Sequence, residues 1–158
     1  MTTLPVGAII PFVGSNLNSL PANWLLCDGR PLASTDYPAL SGALDNAFGG
    51  DSTSFNLPDL RGMFLRGVDG GAGNDPDTTG RTAQAAGGNT GDAVGTRQQD
   101  EIVSHAHALG QPWGYHGQGD YPVYLQGTMT ANATGATGGS TETRPKNVYV
   151  YYLIYAGG

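Results

Sequence analysis

Val148-Tyr-Val-Tyr-Tyr-Leu-Ile-Tyr155 is the stretch on which the fold turns. Every residue in it is β-branched, aromatic or leucine, the composition of extended backbone in a pleated sheet. Alternate residues of a strand face opposite sides. Val148, Val150, Tyr152 and Ile154 fall on one side, and Tyr149, Tyr151, Leu153 and Tyr155 on the other. Both sets are apolar, so the segment is expected to be the strongest strand of the chain, buried on both faces.

Shorter elements lie upstream. Pro5 to Val13 reads as a strand through Val6, Ile9, Ile10, Phe12 and Val13. Trp24-Leu-Leu-Cys-Asp-Gly-Arg30 is a second apolar run that ends at an Asp28-Gly29 turn signal. A helix is expected next. Thr35 or Asp36 would cap it, Pro38 suits its first turn, and Leu40, Leu44 and Phe48 recur along one face before Gly49-Gly50 stops it. Pro58 keeps Phe55-Asn-Leu-Pro-Asp-Leu60 extended, and Arg61-Gly-Met-Phe-Leu-Arg-Gly67 is a third apolar segment. The expected fold is mainly β, with one short helix and much irregular structure.

The 158 residues suit one domain's worth of chain, and glycine takes 26 of them. The run from Asp69 to Glu101 holds a single large apolar residue, Val94, and the run from Gln126 to Asn147 holds only Met129. Neither run buries enough apolar surface by itself to offset about 1–2 kcal/mol of backbone entropy per residue. Either self-association covers these runs or they are long mobile loops. The formal charge of -6, with seven Lys and Arg, argues against nucleic acid. No window approaches the ~18 apolar residues of a membrane span, and the start does not resemble a signal peptide. The single Cys27 cannot form an internal disulfide.

Candidate chemistry gathers at Ser104-His-Ala-His107. In a strand, His105 and His107 present two imidazoles on one face. Two ligands do not complete a transition-metal site. The pair is therefore two surface histidines, or the missing ligands come from other copies of the chain. Downstream, Trp113, Tyr115, His116, Tyr121 and Tyr124 stand among Gly and Pro. Such aromatics can stack on sugar rings or fill gaps between neighbouring chains. Asp69, Asp75 and Asp77 lack the spacing of an EF-hand loop and read as solvated loop carboxylates. Asp59, Arg61 and Arg66 are expected to pair in hydrogen bonds that serve folding. No Ser-His-Asp arrangement or phosphate-cradling loop stands out, so no enzyme is expected. A metalloenzyme built on His105, His107 and His116 is the competing case.

Several blocks resemble one family in its own order. Gly7-Ala-Ile-Ile-Pro-Phe12 with Pro21-Ala-Asn-Trp-Leu-Leu-Cys-Asp-Gly29 looks like the start of a phage tail collar domain. Phe55-Asn-Leu-Pro-Asp-Leu-Arg-Gly-Met-Phe-Leu-Arg-Gly67 resembles that domain's most recognisable motif. Val94 to His107, and Glu142-Thr-Arg-Pro-Lys-Asn147 with the closing strand, resemble the C-terminal module of phage tail fibres.

The resemblance implies a tail-collar-like domain over residues 1–67 and, over 68–158, an intertwined homotrimeric module with a short tip at about 108–141. It implies that His105 and His107 from three chains hold one transition-metal ion on the three-fold axis. Six imidazole nitrogens favour iron over zinc, whose structural sites are four-coordinate. A filled shell makes such a site structural. The implied function is a receptor-binding tail-fibre tip of a phage or phage-like contractile particle, attached to cell-surface glycan. A purely structural cap or assembly module is the alternative. Other tail, baseplate or fibre proteins are the implied partners, with neither nucleic acid nor membrane insertion. The implied location is the virion tail fibre or an extracellular particle, made in the bacterial cytoplasm without a signal peptide.

Overall fold

The computed structural model describes residues 4–101 and 145–158. Met1–Gln99 and Lys146–Gly158 form one compact unit, and Asp100–Pro145 a second. The described elements are β1 (Ile9–Phe12), β2 (Trp24–Leu26), β3 (Pro31–Ala33), α1 (Pro38–Leu44), β4 (Ser54–Asn56), β5 (Thr82–Ala83), β6 (Thr96–Arg97) and β7 (Tyr151–Tyr155). Single 3-10 turns at Leu17–Ser19 and Thr78–Gly80 complete the set. The architecture is mainly β, with one short helix and much irregular chain, as the residue pattern implies. No helix among the described residues is long and apolar enough to cross a membrane.

The closing segment is the centre of the main sheet. β7 lies between β1 and β2, antiparallel to both. Ile9 stands opposite Ile154 on one side, and Leu25 opposite Ile154 on the other. Leu153 and Ile154 are consecutive, face opposite ways, and are both buried. The expectation of two covered faces therefore holds for this end of the strand. It fails at the other end, where Val148 and Tyr149 are exposed and the strand starts only at Tyr151. The ladder gives the reason: the β1 register ends at Phe12 opposite Tyr151, and β2 reaches only Leu153.

Ile154 joins Leu25, Cys27, Leu40, Phe55, Leu57, Leu60 and Ala156 in the hydrophobic core. Burial pushes the Cys27 thiol up to about 12, so this cysteine behaves as a small apolar core residue. Leu40 reaches the core from α1, and Phe55 from β4. The helix is shorter than its pattern suggests. It begins after Tyr37, without a side-chain cap from Thr35 or Asp36, and Pro38 opens it. It ends at Leu44, because Asp45 and Asn46 turn left-handed. Phe48 is thus buried from the following turn and not from the helix face.

The turn into β4 is set by Asp51, whose Oδ1 accepts the backbone N–H groups of Thr53 and Ser54 at 2.8 and 2.9 Å. These bonds, the Thr53 N–H foremost, push the carboxyl down to about 2. The segment after β4 runs beside the chain that follows β2. Leu60 N–H donates to the Cys27 carbonyl, and Asp28 bridges Asp59. Asp59 holds Arg61 in a two-pronged pair, Nε to Oδ1 at 2.8 Å and Nη2 to Oδ2 at 2.7 Å. That is the paired hydrogen bonding expected of these two residues.

The apolar-poor run after Asp69 has a source of order that neither expectation included. Its internal bonds are polar. Asp69 accepts N–H groups from Gly73, Asn74 and Asp75 at 2.8, 2.8 and 3.0 Å, and closes a loop on itself. Asp75 is buried against Arg81, which also donates to Asp92 at 3.2 Å. Reading Asp69, Asp75 and Asp77 as solvated loop carboxylates is therefore wrong for Asp75, while the half-exposed Asp69 is engaged by backbone N–H groups. β5 and β6 pair as a two-residue ribbon. The run then docks on the turn after α1 through glycine. Gly95 has φ +89°, and a Cβ there would lie 2.1 Å from the Ala47 carbonyl oxygen. Only glycine allows that approach.

Candidate functional site

His105, His107, Trp113, Tyr115, His116, Tyr121 and Tyr124 all lie outside the described residues. So does the segment 108–141 expected as the tip. Among the described residues, the candidate site is a cleft of about 350 Å³ between the 61–68 segment and β6. Its floor is apolar and continuous with the core, through Ile9, Phe48 and Leu60.

Two turns aim the rim outward. Met63 N–H donates to the Leu60 carbonyl at 3.2 Å, closing a turn through Gly62. The chain then leaves the core with Phe64 and Leu65 side by side in sequence, 62% and 54% exposed. On the opposite wall the Asn89 amide donates to the Val94 carbonyl at 2.9 Å, and the Thr96 hydroxyl to the Ala93 carbonyl at 2.8 Å. Between these anchors Val94 is 58% exposed. Val68 adds a fourth apolar side chain, also exposed.

The polar lining is of one sign. Arg66, Arg81 and Arg97 line the cleft, and no carboxylate does. Arg81 is occupied by Asp75 and Asp92. Its bonds, with the N–H of Asp77, hold the Asp75 carboxyl below the usual carboxylate range. Arg66 approaches Asp75 only at 3.7 Å and remains exposed. Arg97 has no ion-pair partner among the described residues. Gln84, also in the lining, accepts the Asp59 N–H at 3.0 Å and ties the 55–67 motif to the polar run. Chemically the cleft can hold apolar groups and anions. Among the described residues, no cluster of three His, Cys, Asp or Glu is placed to hold a metal.

Sequence reasoning missed this cleft. It treated 61–67 as one more apolar segment, although an Arg-Gly start and an Arg-Gly end leave Phe64 and Leu65 little company. The isolated Val94 in a polar run was the other available signal.

The phage tail collar domain matches residues 7–65, which span β1 to β4 and the first wall of the cleft. Protein RhiB of Rhizobium leguminosarum bv. viciae is 33% identical over 188 aligned positions, covering 95% of this chain and 85% of RhiB. The chain belongs to the phage tail collar family. The short tail fiber protein gp12 of Enterobacteria phage T4 is 33% identical over 115 positions, 68% of this chain. The chain spans only 21% of that fibre protein's length. StfE of Escherichia coli K12 is 28% identical over 175 positions, 98% of this chain and 89% of StfE. The collar chain is thus a protein of the phage tail fibre type. The matched collar segment ends at residue 65, yet its central strand β7 comes from the far end of the chain.

Proposed function

We propose that this collar protein is the receptor-binding tip of a tail fibre on a phage or phage-like contractile particle. It works as a homotrimer and attaches the particle to cell-surface glycan. The observation that carries the reading is the tail collar segment at 7–65, joined to similarity with a short tail fiber protein over 68% of the chain. An acidic chain with few basic residues supports a partner other than nucleic acid. The role is structural and adhesive, not enzymatic, and its place is on the virion.

His105 and His107 of three chains would supply six imidazole nitrogens, a donor set that fits one octahedral ion, with iron favoured over zinc. The ion would cross-link three chains and leave no open position for a substrate. Each imidazole must be neutral to bind, so protons compete with the metal and the site is expected to empty in acid. Trp113, Tyr115, His116, Tyr121 and Tyr124 are the proposed glycan contacts, through ring stacking and their polar edges. Partner tail or baseplate proteins would hold the other end of the trimer.

Native mass spectrometry with elemental analysis of untagged protein tests the assembly. Three chains with one metal are expected, and one metal per chain would sink it. His105→Ala with His107→Ala should lower the melting temperature and the trimer yield. Whole-cell and glycan-array binding test the tip. Binding unchanged in Trp113→Ala with Tyr115→Ala would remove those two residues from the contact. Loss of binding to every cell and glycan tested would favour a cap or assembly module without a receptor.

A further inference from the structure

The cleft between residues 61–68 and β6 joins two features that the chain's own core does not use. Its rim is apolar, through Phe64, Leu65, Val68 and Val94, all exposed. Its exposed charges are Arg66 and Arg97, since Arg81 is held by Asp75 and Asp92, and no carboxylate is among the lining. The rest of the chain is strongly acidic, since thirteen Asp and Glu give a net charge of -6. A surface that complements an apolar, cationic cleft is apolar and acidic, and another copy of this chain can supply the acid.

The sign of the charges also selects the symmetry. A two-fold contact sets one patch against itself. Here that would put Arg66 and Arg97 against their own counterparts, which costs free energy. A head-to-tail contact sets the cleft against a different, acidic patch of the next copy, and such contacts close into rings. We propose that this cleft is the contact between collar units of neighbouring copies, with Phe64, Leu65 and Val94 covered by the next copy and Arg66 and Arg97 meeting its carboxylates. This rests on the homotrimer reading and adds the face through which the collar units associate.

Arginine footprinting of the intact protein with phenylglyoxal, run beside native mass spectrometry, tests it. Arg30 is the internal reference, since it is partly exposed, paired with Asp28 as Arg66 is with Asp75, and outside the cleft lining. In a trimer, Arg66 and Arg97 should react about tenfold more slowly than Arg30, because reaction waits on local opening of the contact. Raising the salt concentration should narrow that ratio. The Arg66→Glu, Arg97→Glu double variant and, separately, Phe64→Ser should each lower the temperature at which the trimer dissociates. Both alter exposed side chains, and Trp24 fluorescence checks that the sheet still forms. A trimer in which Arg66 and Arg97 react as fast as Arg30 overturns the cleft contact and leaves the trimer standing. Protection that appears only when another tail protein is added also overturns it. A wild-type protein that stays monomeric or dimeric overturns both readings.

Discussion

Residues 6–60 with β7, and residues 69–98, belong to one compact unit but are ordered by different physics. The first region is held by buried apolar side chains around Phe55, Leu40 and Ile154. The second buries almost nothing apolar. It is held by carboxylates that accept backbone N–H groups, by Arg81 clamped between Asp75 and Asp92, and by glycines that let backbone meet backbone. An apolar-poor sequence can therefore be ordered when its donors and acceptors are matched locally. A tally of hydrophobic residues does not register that matching.

The largest predicted effect breaks both regions at once. Phe55 is fully buried and sits on the strand that α1 and β3 pack against. Phe55→Ala should cost about 3–5 kcal/mol, enough to consume much of the stability of a small unit. Chemical denaturation should show the polar run losing structure in the same transition, because it docks on the turn just before β4. Survival of the 69–98 region after loss of the sheet would show that the two regions fold separately.

A smaller effect should separate docking from core packing. Gly95→Ala forces a side chain into the left-handed region, at about 1–3 kcal/mol, and sets its Cβ against the Ala47 carbonyl. Protease nicking between residues 85 and 95 should rise while Trp24 fluorescence and the β-sheet signal stay close to wild type. If Gly95→Ala is silent, the docking of the run on the α1–β4 turn contributes little.

The apolar half of the fold was readable from residue order. Val148 to Tyr155 announced a strand with two apolar faces, and β7 is the middle strand. Its first three residues misled, because a strand ends where its neighbours end, and neighbours are not written in local sequence. The helix was readable at Pro38 and Leu40 but not at its close. Asp45 and Asn46 took left-handed turns that a period of Leu40, Leu44 and Phe48 does not encode. The polar half was unreadable for a different reason. Asp69, Asp75 and Asp92 look like solvent-exposed loop residues until Arg81 and the backbone N–H groups are brought to them from up to 23 positions away. The sequence-derived metal and tip residues fall in 102–144, outside the described residues. The cleft was hidden because Phe64 and Leu65 look like core material in a list.

Cutting the clamp should act locally. Arg81→Ala leaves the Asp75 carboxylate buried without its guanidinium partner, which is more costly than losing both. Hydrogen exchange should accelerate over residues 73–81 and hardly change over β7. Asp75→Asn with Arg81→Ala should recover part of the protection, since the buried position no longer carries an unpaired carboxylate. Equal acceleration in β7 would make the clamp a global determinant and erase the distinction between the two regions.

The gentlest test is acid, because the carboxylates of the polar run hold its own backbone, whereas the lowered carboxylates of the first region, Asp51 and Asp59, sit at turns outside its apolar core. Asp69 is held below the usual carboxylate range by the Gly73 N–H first, then by those of Asp75 and Asn74, and Asp75 is held low by Arg81 first. A folded-state value below the unfolded one, about 3.9, means the stabilisation is complete above pH 4 and is lost as pH falls through the lowered values. The core around Phe55 and Ile154 carries no group that titrates there. Protection factors, corrected for intrinsic exchange, should therefore fall below pH 4 at the amides of Gly73, Asn74, Asp75 and Asp77, whose bonds run to these carboxylates. Those of Leu153 and Ile154 should not follow until the unit unfolds. The proposed histidine site releases its metal by proton competition at imidazole, independently of Asp69 and Asp75, so metal release and loosening of the run would be two separate steps. Loss of Gly73 and Asn74 protection already at pH 5, with the metal still bound, would mean that the Asp69 loop is held by something other than its carboxylate.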